Sequence, residues 1–288
     1  MDVIRSLWVW FAVVMIVLVA LPTMAVVRLF DRDPAHYRTG RVFRWFGQLA
    51  TRVVPTWKVH VEGEQPEDPR HPYVFVGNHQ SLADIPLISR LPWEMKWVIK
   101  IELFGVPLFG WLVRLSGDIP VDRADPKSRS KVMDLARDYL DKSCSVMIFP
   151  EGTRSRDGRL MRFTTGAFRL ALNNRVPIIP LVVDGTQNAL PKHSWKLGST
   201  THHMRLKVLP PVDPADFDDD PRAYMEHVRG LIAEQLATWR NAERWEVDAM
   251  VKKPEAPSPA ETPAEETAVP EASSEVKNPV NTSKSTNT

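Results

Sequence analysis

The most constraining feature of this sequence is an uninterrupted apolar run near its start. No charged residue occurs from Trp8 to Val27. At about 1.5 Å of helical rise per residue, such a run spans about 30 Å, the thickness of the hydrocarbon core of a bilayer. A cleaved signal peptide is the alternative, but the run is longer than a typical signal-peptide core and lacks a convincing small-residue cleavage site. The run therefore predicts an uncleaved membrane anchor, in which Pro22 leaves room for a kink or a re-entrant pair.

A second membrane-like segment follows the anchor. From Val42 to Val54, apolar residues interleave at near-helical spacing with polar residues that include Arg44 and Arg52. Such a helix would lie in the membrane interface, where its arginines meet anionic headgroups. The alternative is an ordinary amphipathic helix packed against the folded domain. Residues 1–56 are therefore predicted to form a membrane helix and an amphipathic interfacial helix.

The middle of the chain alternates short apolar strands with helical patterns, which is typical of an α/β domain. The predicted strands are Lys58–Val61, Tyr73–Gly77, Lys96–Ile99, Ser145–Phe149, Ile178–Val183 and Met204–Leu209. The predicted helices are Leu82–Ser89, Leu103–Leu115, Pro126–Asp141, Thr165–Leu172 and Pro221–Arg240. Together they predict one α/β domain over residues 57–248, with a single mixed sheet flanked by helices.

Composition and charge narrow the class of protein. Residues 249–288 are rich in Pro, Glu, Ser and Thr and are predicted to form a disordered tail. A formal net charge of +2 is far from the basic excess of a dedicated nucleic-acid binder, so no nucleic-acid partner is expected. The single cysteine, Cys144, excludes an intramolecular disulfide and is interpreted as a buried structural thiol. His202 and His203 are adjacent, a poor spacing for metal ligands, and no metal site is predicted.

The first motif that carries chemistry runs from Asn78 to Asp84 and leads from a predicted strand into a predicted helix. Sheets of α/β proteins usually carry their reactive groups at the carboxyl ends of the strands. Asp84 can turn back to accept a hydrogen bond from His79 Nδ1, which leaves Nε2 free to take a proton from an alcohol. A structural hydrogen bond is the alternative reading. Ser81 is interpreted as a helix-start residue.

Cationic groups end several other predicted strands. Lys100 follows the strand Lys96–Ile99, and the segment Phe149–Arg154 continues from the end of the strand Ser145–Phe149. Gly117–Arg123 is interpreted as a further strand end that delivers Arg123. Gly152 lets the backbone approach a ligand, and Arg154 can clamp a phosphate. Each group alone could belong to a solvated turn. Beside a histidine base, however, the set predicts a site for a phosphorylated alcohol.

In their combination and order these motifs resemble the glycerolipid acyltransferase family, which includes the 1-acylglycerol-3-phosphate acyltransferases. The resemblance covers about Val59 to Val183. It implies His79 as the general base, Asp84 as the residue that orients it, and Arg123 as an acceptor-binding residue. It also implies phosphate or headgroup contacts through Glu151, Gly152, Thr153 and Arg154, to which the strand-end pattern adds Lys100.

Two further blocks complete the resemblance. Val176–Val183 is similar to the family's apolar strand, which supports the site or the acyl chain. Within the block Gly117–Arg123, Pro120 stands where an aromatic or β-branched residue is more usual, a departure that bears on the reach of Arg123.

The resemblance implies an enzyme that transfers an acyl group from acyl-CoA or acyl carrier protein to 1-acylglycerol-3-phosphate and yields phosphatidic acid. Transfer is expected to be direct, because the chain has no Gly-x-Ser-x-Gly elbow. No cofactor or metal is expected, and membrane lipids and the acyl donor are the expected partners. The catalytic domain is expected at a cytoplasmic or inner membrane, facing the cytoplasm, as the arginines that follow the apolar run indicate. The alternatives are another lysolipid acceptor, a lipid thioesterase or hydrolase, and a non-enzymatic membrane adaptor.

Overall fold

The computed structural model describes residues 2–63, 68–191 and 199–253. Over these residues the strands form one sheet in the order β1-β7-β6-β2-β5-β3-β4. The strands are β1 Trp57–Gly63, β2 Val74–Gly77, β3 Met95–Lys100, β4 Ile119–Val121, β5 Ser145–Ile148, β6 Ile178–Asp184 and β7 His202–Val208. Strands β6 and β7 are antiparallel and the other neighbouring pairs are parallel. The predicted α/β fold with a mixed sheet is confirmed.

Along the chain, the helices of the described residues precede the first strand, connect later strands and follow the last one. They are α1 Asp2–Phe30, α2 Tyr37–Val53, α3 Asp84–Ile88, α4 Phe109–Ser116, α5 Pro126–Asp141, α6 Gly166–Asn174, α7 Thr186–Ala189, α8 Pro221–Arg240 and α9 Arg244–Val247, with 3₁₀ turns at Ile101–Gly105 and Pro214–Phe217. Helices α5 and α8 have their predicted bounds, because Asp125 and Asp220 cap them and a proline follows each cap.

The single helix predicted over Leu103–Leu115 is wrong. The chain forms the 3₁₀ turn Ile101–Gly105 and then α4, with a break between them. Pro107 disfavours helical backbone at the preceding residue, and Val106 is accordingly extended. Leu108 adopts the positive φ of 63° before α4 begins. The apolar pattern continued across a break that the proline imposes.

Both faces of the sheet are buried at its central strands β2, β5 and β6. Val74 and Val76 pack in a core that includes residues of α5, α6 and α8, whereas Phe75, between them, packs in a second core with α3. Burial on both faces explains why β2, β5 and β6 are nearly continuous apolar runs in the sequence. Strands β2, β5, β3 and β4 are parallel neighbours, so the loops that follow them emerge at one edge of the sheet.

The N-terminal apolar run forms one helix. Val3–Phe30 is long and apolar enough to cross a membrane, on the measure of length and composition. Helix α1 runs through Pro22, and the described chain shows no re-entrant pair. The hydroxyl of Thr23 donates to the carbonyl of Val19, beside the carbonyl that Pro22 leaves without its helical donor.

Helix α2 buries part of its predicted polar face against the folded domain. Arg44 is 3% exposed and forms ion pairs with Asp118 and with Glu94, the latter at 3.7 Å between Nε and Oε2. The prediction that Arg44 meets lipid headgroups is therefore wrong, because two buried carboxylates draw its guanidinium inward. Trp45 and Arg52 remain on the exposed side of the helix.

The folded part of the chain extends beyond the predicted boundary at residue 248. The backbone of Ala249 donates to the carbonyl of Leu160 at 3.0 Å, and Asp248 is buried in an ion pair with Arg229. Residues 2–63, 68–191 and 199–253 belong to one compact unit. From residue 254 onward, the predicted disordered tail lies outside the described residues.

Candidate active site

The chain is fixed in place as it leaves β2. The side chain of Asn78 donates from Nδ2 to the carbonyl of Val183, and its Oδ1 accepts from the backbone N–H of the same residue, both at 2.8 Å. Strand β6 is the direct neighbour of β2, so this pair of hydrogen bonds ties the two strand ends together. His79, the next residue, therefore starts from a rigid position.

His79 and Asp84 form the predicted pair. The distance from His79 Nδ1 to Asp84 Oδ2 is 2.7 Å. The same carboxylate oxygen accepts from the backbone of Gln80 at 2.7 Å and of Ser81 at 3.0 Å, while the Thr186 hydroxyl donates to Oδ1. These donors leave the buried carboxylate a single orientation.

The hydrogen bond to Asp84 fixes which nitrogen of the imidazole carries the hydrogen. An ionised carboxylate only accepts, so Nδ1 of the neutral ring must donate and Nε2 is left as an acceptor. Within the described part of the chain, Nε2 of His79 has no hydrogen-bond partner. The ring is thus prepared to accept a proton on that side.

The second wall of the site is the loop after β5. The His79 ring stacks on Phe149, with ring centroids 4.1 Å apart and planes at 13°. The carbonyl of His79 accepts from the backbone N–H of Ser155 at 2.8 Å. These contacts join the loops after β2 and β5 and leave the His79 side chain 11% exposed.

Glu151 lies beneath His79. Its Oε1 accepts from the backbone N–H of His79 at 3.0 Å, and its buried Oε2 has no hydrogen-bond partner among the described residues. Burial raises the pKa of the Glu151 carboxyl to about 8, and the negative charge of Asp84 acts in the same direction. The residue predicted to contact a phosphate is therefore a buried, protonated acid at neutral pH.

The remainder of this motif is open to a ligand. Gly152 has a φ of 69°, in the left-handed region that favours glycine, and a Cβ there would meet no protein atom within 4 Å. Backbone conformation, not crowding by the protein, accounts for this glycine. Thr153 is exposed. Arg154 is half-buried and forms no ion pair with a described carboxylate, so its guanidinium is free to bind an anion.

A cavity of about 510 Å³ opens beside these loops. Its lining includes Phe149 and apolar residues of β4, β5 and α5. Four of the predicted site residues also line it: Arg123, Glu151, Gly152 and Thr153. His79, Lys100 and Arg154 are not in its lining, but Phe149 both lines the cavity and stacks on the His79 ring. We call this space the active-site cavity.

Lys100 and Arg123 lie on adjacent strand ends. Lys100 pairs with Glu102 at 2.7 Å, with both side chains at least half exposed. That bond lowers the pKa of Glu102. Desolvation lowers the pKa of Arg123, and the charge of Glu102 opposes that shift. Glu102, which the sequence analysis did not single out, is therefore electrostatically coupled to both cations.

Pro120 does not prevent the strand that delivers Arg123. In β4 it is paired with Ile99 of β3. Strand β4 is an edge of the sheet, where a residue without a backbone N–H is tolerated.

Thr186 is the clearest residue that sequence reasoning missed. It follows β6, whose carboxyl end adjoins that of β2, and it donates to the carboxylate of Asp84. Its position just after a buried apolar strand was the available signal. Over the described residues, no group of three or more His, Cys, Asp or Glu side chains is placed to hold a metal ion.

Comparison with known proteins gives a consistent result. A family model described as Acyltransferase matches residues 58–184. The 1-acyl-sn-glycerol-3-phosphate acyltransferase of Haemophilus influenzae is 31% identical over 229 residues, which cover 78% of this chain and 92% of that protein. The chloroplastic enzyme LPAT1 of Arabidopsis thaliana is 37% identical over 186 residues, 64% of this chain and 51% of that protein. The chain thus spans about half the length of that chloroplast relative.

A solved structure is also similar. The crystal structure of the 1-acyl-sn-glycerophosphate (LPA) acyltransferase PlsC from Thermotoga maritima superposes with a TM-score of 0.69 at 25% sequence identity. The match covers 84% of this chain and 97% of that chain, so it includes most of the described fold.

Proposed function

Because this chain belongs to the family of 1-acyl-sn-glycerol-3-phosphate acyltransferases, we propose that it transfers an acyl group to the free hydroxyl of 1-acylglycerol-3-phosphate and releases phosphatidic acid. The observation that carries this proposal is the imidazole of His79. It is oriented by a buried carboxylate, has a free Nε2, and lies beside a cavity lined by the guanidinium of Arg123. The donor is an acyl thioester, either acyl-CoA or acyl carrier protein.

The proposed reaction is a direct transfer. Nε2 of His79 accepts the proton of the acceptor hydroxyl as its oxygen attacks the thioester carbonyl. Asp84 stabilises the imidazolium that forms. When the tetrahedral intermediate collapses, the carbon–sulfur bond breaks and the imidazolium returns its proton to the leaving thiolate. An ester and a free thiol are the products, and no cofactor takes part.

Neither Ser81 nor Cys144 is a good candidate for a nucleophile that would form an acyl-enzyme. The Ser81 hydroxyl donates to the carbonyl of Leu190 at 2.6 Å and, over the described residues, forms no hydrogen bond with the His79 side chain. Burial raises the pKa of the Cys144 thiol to about 12, which keeps it protonated. Cys144 is buried, as expected.

The cations at the strand ends are proposed to hold the acceptor's phosphate. Arg123 lines the cavity, Arg154 follows the lining residue Thr153 in the loop after β5, and Lys100 ends β3, two residues after the lining residue Val98. A guanidinium can bind a phosphate through two parallel hydrogen bonds, which fixes direction as well as distance. Binding energy at the phosphate would thereby align the distant hydroxyl with His79. Another lysolipid with an anionic headgroup remains the alternative acceptor.

A membrane location accords with this chemistry, since acceptor and product are both lipids. Helix α1 supplies an apolar segment of sufficient length. Arginines at positions 28, 32 and 38 follow most of that segment and favour the cytoplasmic side for the catalytic domain. We place the site at the cytoplasmic face of the membrane, where thioester donors occur.

The test is product formation by the purified full-length chain in detergent micelles. Labelled acyl-CoA is incubated with 1-acylglycerol-3-phosphate and, separately, with a panel of other lysolipids. We expect phosphatidic acid from the parent chain, and His79→Ala should lower the rate by about 10³-fold or more. His60→Ala is the matched control, because His60 is an exposed histidine on β1.

Two results would contradict the proposal. Full activity of His79→Ala would show that His79 is not the general base. Release of thiol from acyl-CoA at the same rate with and without lysolipid would instead favour a thioesterase in which His79 activates water.

A further inference from the structure

Three adjoining depressions on the α5, α6 and α8 side of the protein are rich in arginine. They measure about 890, 300 and 440 Å³, and Arg169 lines all three. Their linings contain two carboxylates, from Glu226 and Asp219. The exposed arginines that line these depressions form a surface that we call the arginine surface: Arg129, Arg137, Arg162, Arg169, Arg175 and Arg222.

The arginines of this surface are not engaged in ion pairs within the described part of the chain. None of the six forms an ion pair with a carboxylate of the described residues. Guanidinium groups gathered on one surface repel each other, and the resulting positive potential attracts anionic partners at long range. A surface of this kind fits a ligand that brings several negative charges.

The arginine surface is continuous with the active-site cavity. Thr165 and Gly166, at the start of α6, line both, and so does Arg129. A partner bound to the arginine surface could therefore extend a flexible arm into the cavity beside His79. Of the two substrates in the proposed reaction, the acyl donor has such an arm.

The position of the surface argues against a lipid bilayer as its ligand. Helices α5, α6 and α8 cover the sheet face that carries Val74 and Val76. The opposite face carries Phe75, and its core includes Val9 of the apolar helix α1. The arginine surface thus lies on the side of the sheet away from the membrane-type helix, where a water-soluble partner can approach.

We infer that the arginine surface docks an acidic acyl carrier protein, whose acylated arm enters the adjoining active-site cavity. This inference rests on the proposed function and names its donor. A protein fits better than a nucleotide, because the arginines are spread over α5, α6, α8 and the segments that flank α6, and over three depressions. One nucleotide would occupy a single depression, whereas a helix with several carboxylates can contact the whole surface.

The test is donor-specific kinetics of Arg169→Glu, the residue shared by all three depressions. The full-length chain is assayed in detergent micelles with acyl carrier protein and acyl-CoA thioesters of the same fatty acid. We expect the KM for the carrier thioester to rise by about fivefold or more, and the KM for acyl-CoA to stay within about twofold. Added NaCl should raise the KM of the parent for the carrier thioester more steeply than that of the variant.

Two variants serve as controls. Lys58→Glu makes the same change of charge on an exposed cation of β1 and should leave both KM values unchanged. Arg169→Lys keeps the charge and should restore most of the affinity for the carrier thioester. Equal thermal midpoints of the parent and Arg169→Glu would show that the fold is intact.

Several outcomes would overturn the inference. An unchanged KM for the carrier thioester would do so, as would a larger rise in the KM for acyl-CoA, which would assign the surface to the phosphates of coenzyme A. Weaker binding of Arg169→Glu to anionic vesicles, with both KM values unchanged, would indicate that the arginine surface contacts the membrane instead. A parent chain that uses only acyl-CoA would refute carrier docking and leave the proposed function intact, whereas one that makes no phosphatidic acid from either donor would refute the proposed function.

Discussion

The substitution Glu151→Gln tests whether the acid beneath His79 is neutral in the folded protein. Burial raises the pKa of this carboxyl from 4.5 to about 8, with a further contribution from the charge of Asp84. Glutamine keeps the oxygen that accepts from the backbone of His79 and cannot ionise. The variant should therefore retain the local fold and lose one source of pH dependence.

The sign and size of the effect follow from the shift of the pKa. A raised folded-state pKa means that the folded chain binds this proton more tightly than the unfolded chain. Its stabilising contribution is complete below about pH 4.5 and is lost as the pH rises through about 8. Between about pH 5.5 and 8.5 the free energy of unfolding of the parent should fall by about 3 kcal/mol, at about 1.4 kcal/mol per unit. Glu151→Gln should lack that loss.

The assay is thermal unfolding of the parent and the variant at both pH values, in the same detergent and salt. A difference of about 3 kcal/mol corresponds to about 6–12 °C for a domain of this size. Glu234→Gln is the control, because Glu234 is exposed on α8 and reports the general effect of removing an acid. If the midpoints of the parent and Glu151→Gln fall by the same amount, within about 2 °C, Glu151 is already ionised and the reasoning is wrong.

Three other substitutions have defined outcomes. Asp84→Asn should lower kcat by about 10³- to 10⁴-fold, because an amide fails to accept from all its present donors and misorients His79; a loss below tenfold at saturating substrates would contradict this. Arg44→Ala should destabilise the chain by about 3–5 kcal/mol by leaving buried Asp118 unpaired, and an unchanged denaturation midpoint would refute it. Arg154→Ala should raise the KM for 1-acylglycerol-3-phosphate about tenfold or more and leave that for an uncharged monoacylglycerol unaffected, which steady-state kinetics with the two acceptors would check.

The fold was predictable where local rules decide it. Asp125 and Asp220, each followed by a proline, set the starts of α5 and α8. Apolar runs located β2, β5 and β6 to within a few residues, because burial on both faces leaves a continuous signal. The order of the strands and the antiparallel pairing of β6 with β7 depend on contacts between distant segments, which no local pattern contains.

The same distinction applies to the site. His79 and Asp84 are five positions apart, so their contact could be predicted from a single strand-to-helix turn. Thr186 reaches Asp84 only because β6 lies next to β2, and Glu151 reaches the backbone of His79 only because β5 does. The partners that orient and bury the predicted residues were therefore out of reach of the sequence.

The wrong prediction for Arg44 shows why amphipathicity alone cannot identify the membrane-facing side of a helix. An apolar stripe with arginine at its border is stabilised equally by an interface or by a protein surface. Here the surface is a buried cluster in which Lys96 Nζ donates to Glu94 at 2.9 Å and to the carbonyl of Ser116 at 2.7 Å. A Cβ at Gly40 would clash with the carboxylate of Glu94, which lies against α2.

This cluster lies at the amino ends of β3 and β4, and the carboxyl ends of the same two strands carry Lys100 and deliver Arg123. Helix α2 packs against the apolar helix α1 and is therefore bound to one end of these strands, whose other end carries the cations that we propose bind the acceptor. Breaking such a buried charged cluster is costly, so the connection is rigid. The distance of the proposed phosphate site from the apolar helix is accordingly set by packed strands and ion pairs rather than by a flexible linker, as a lipid acceptor that never leaves the bilayer requires.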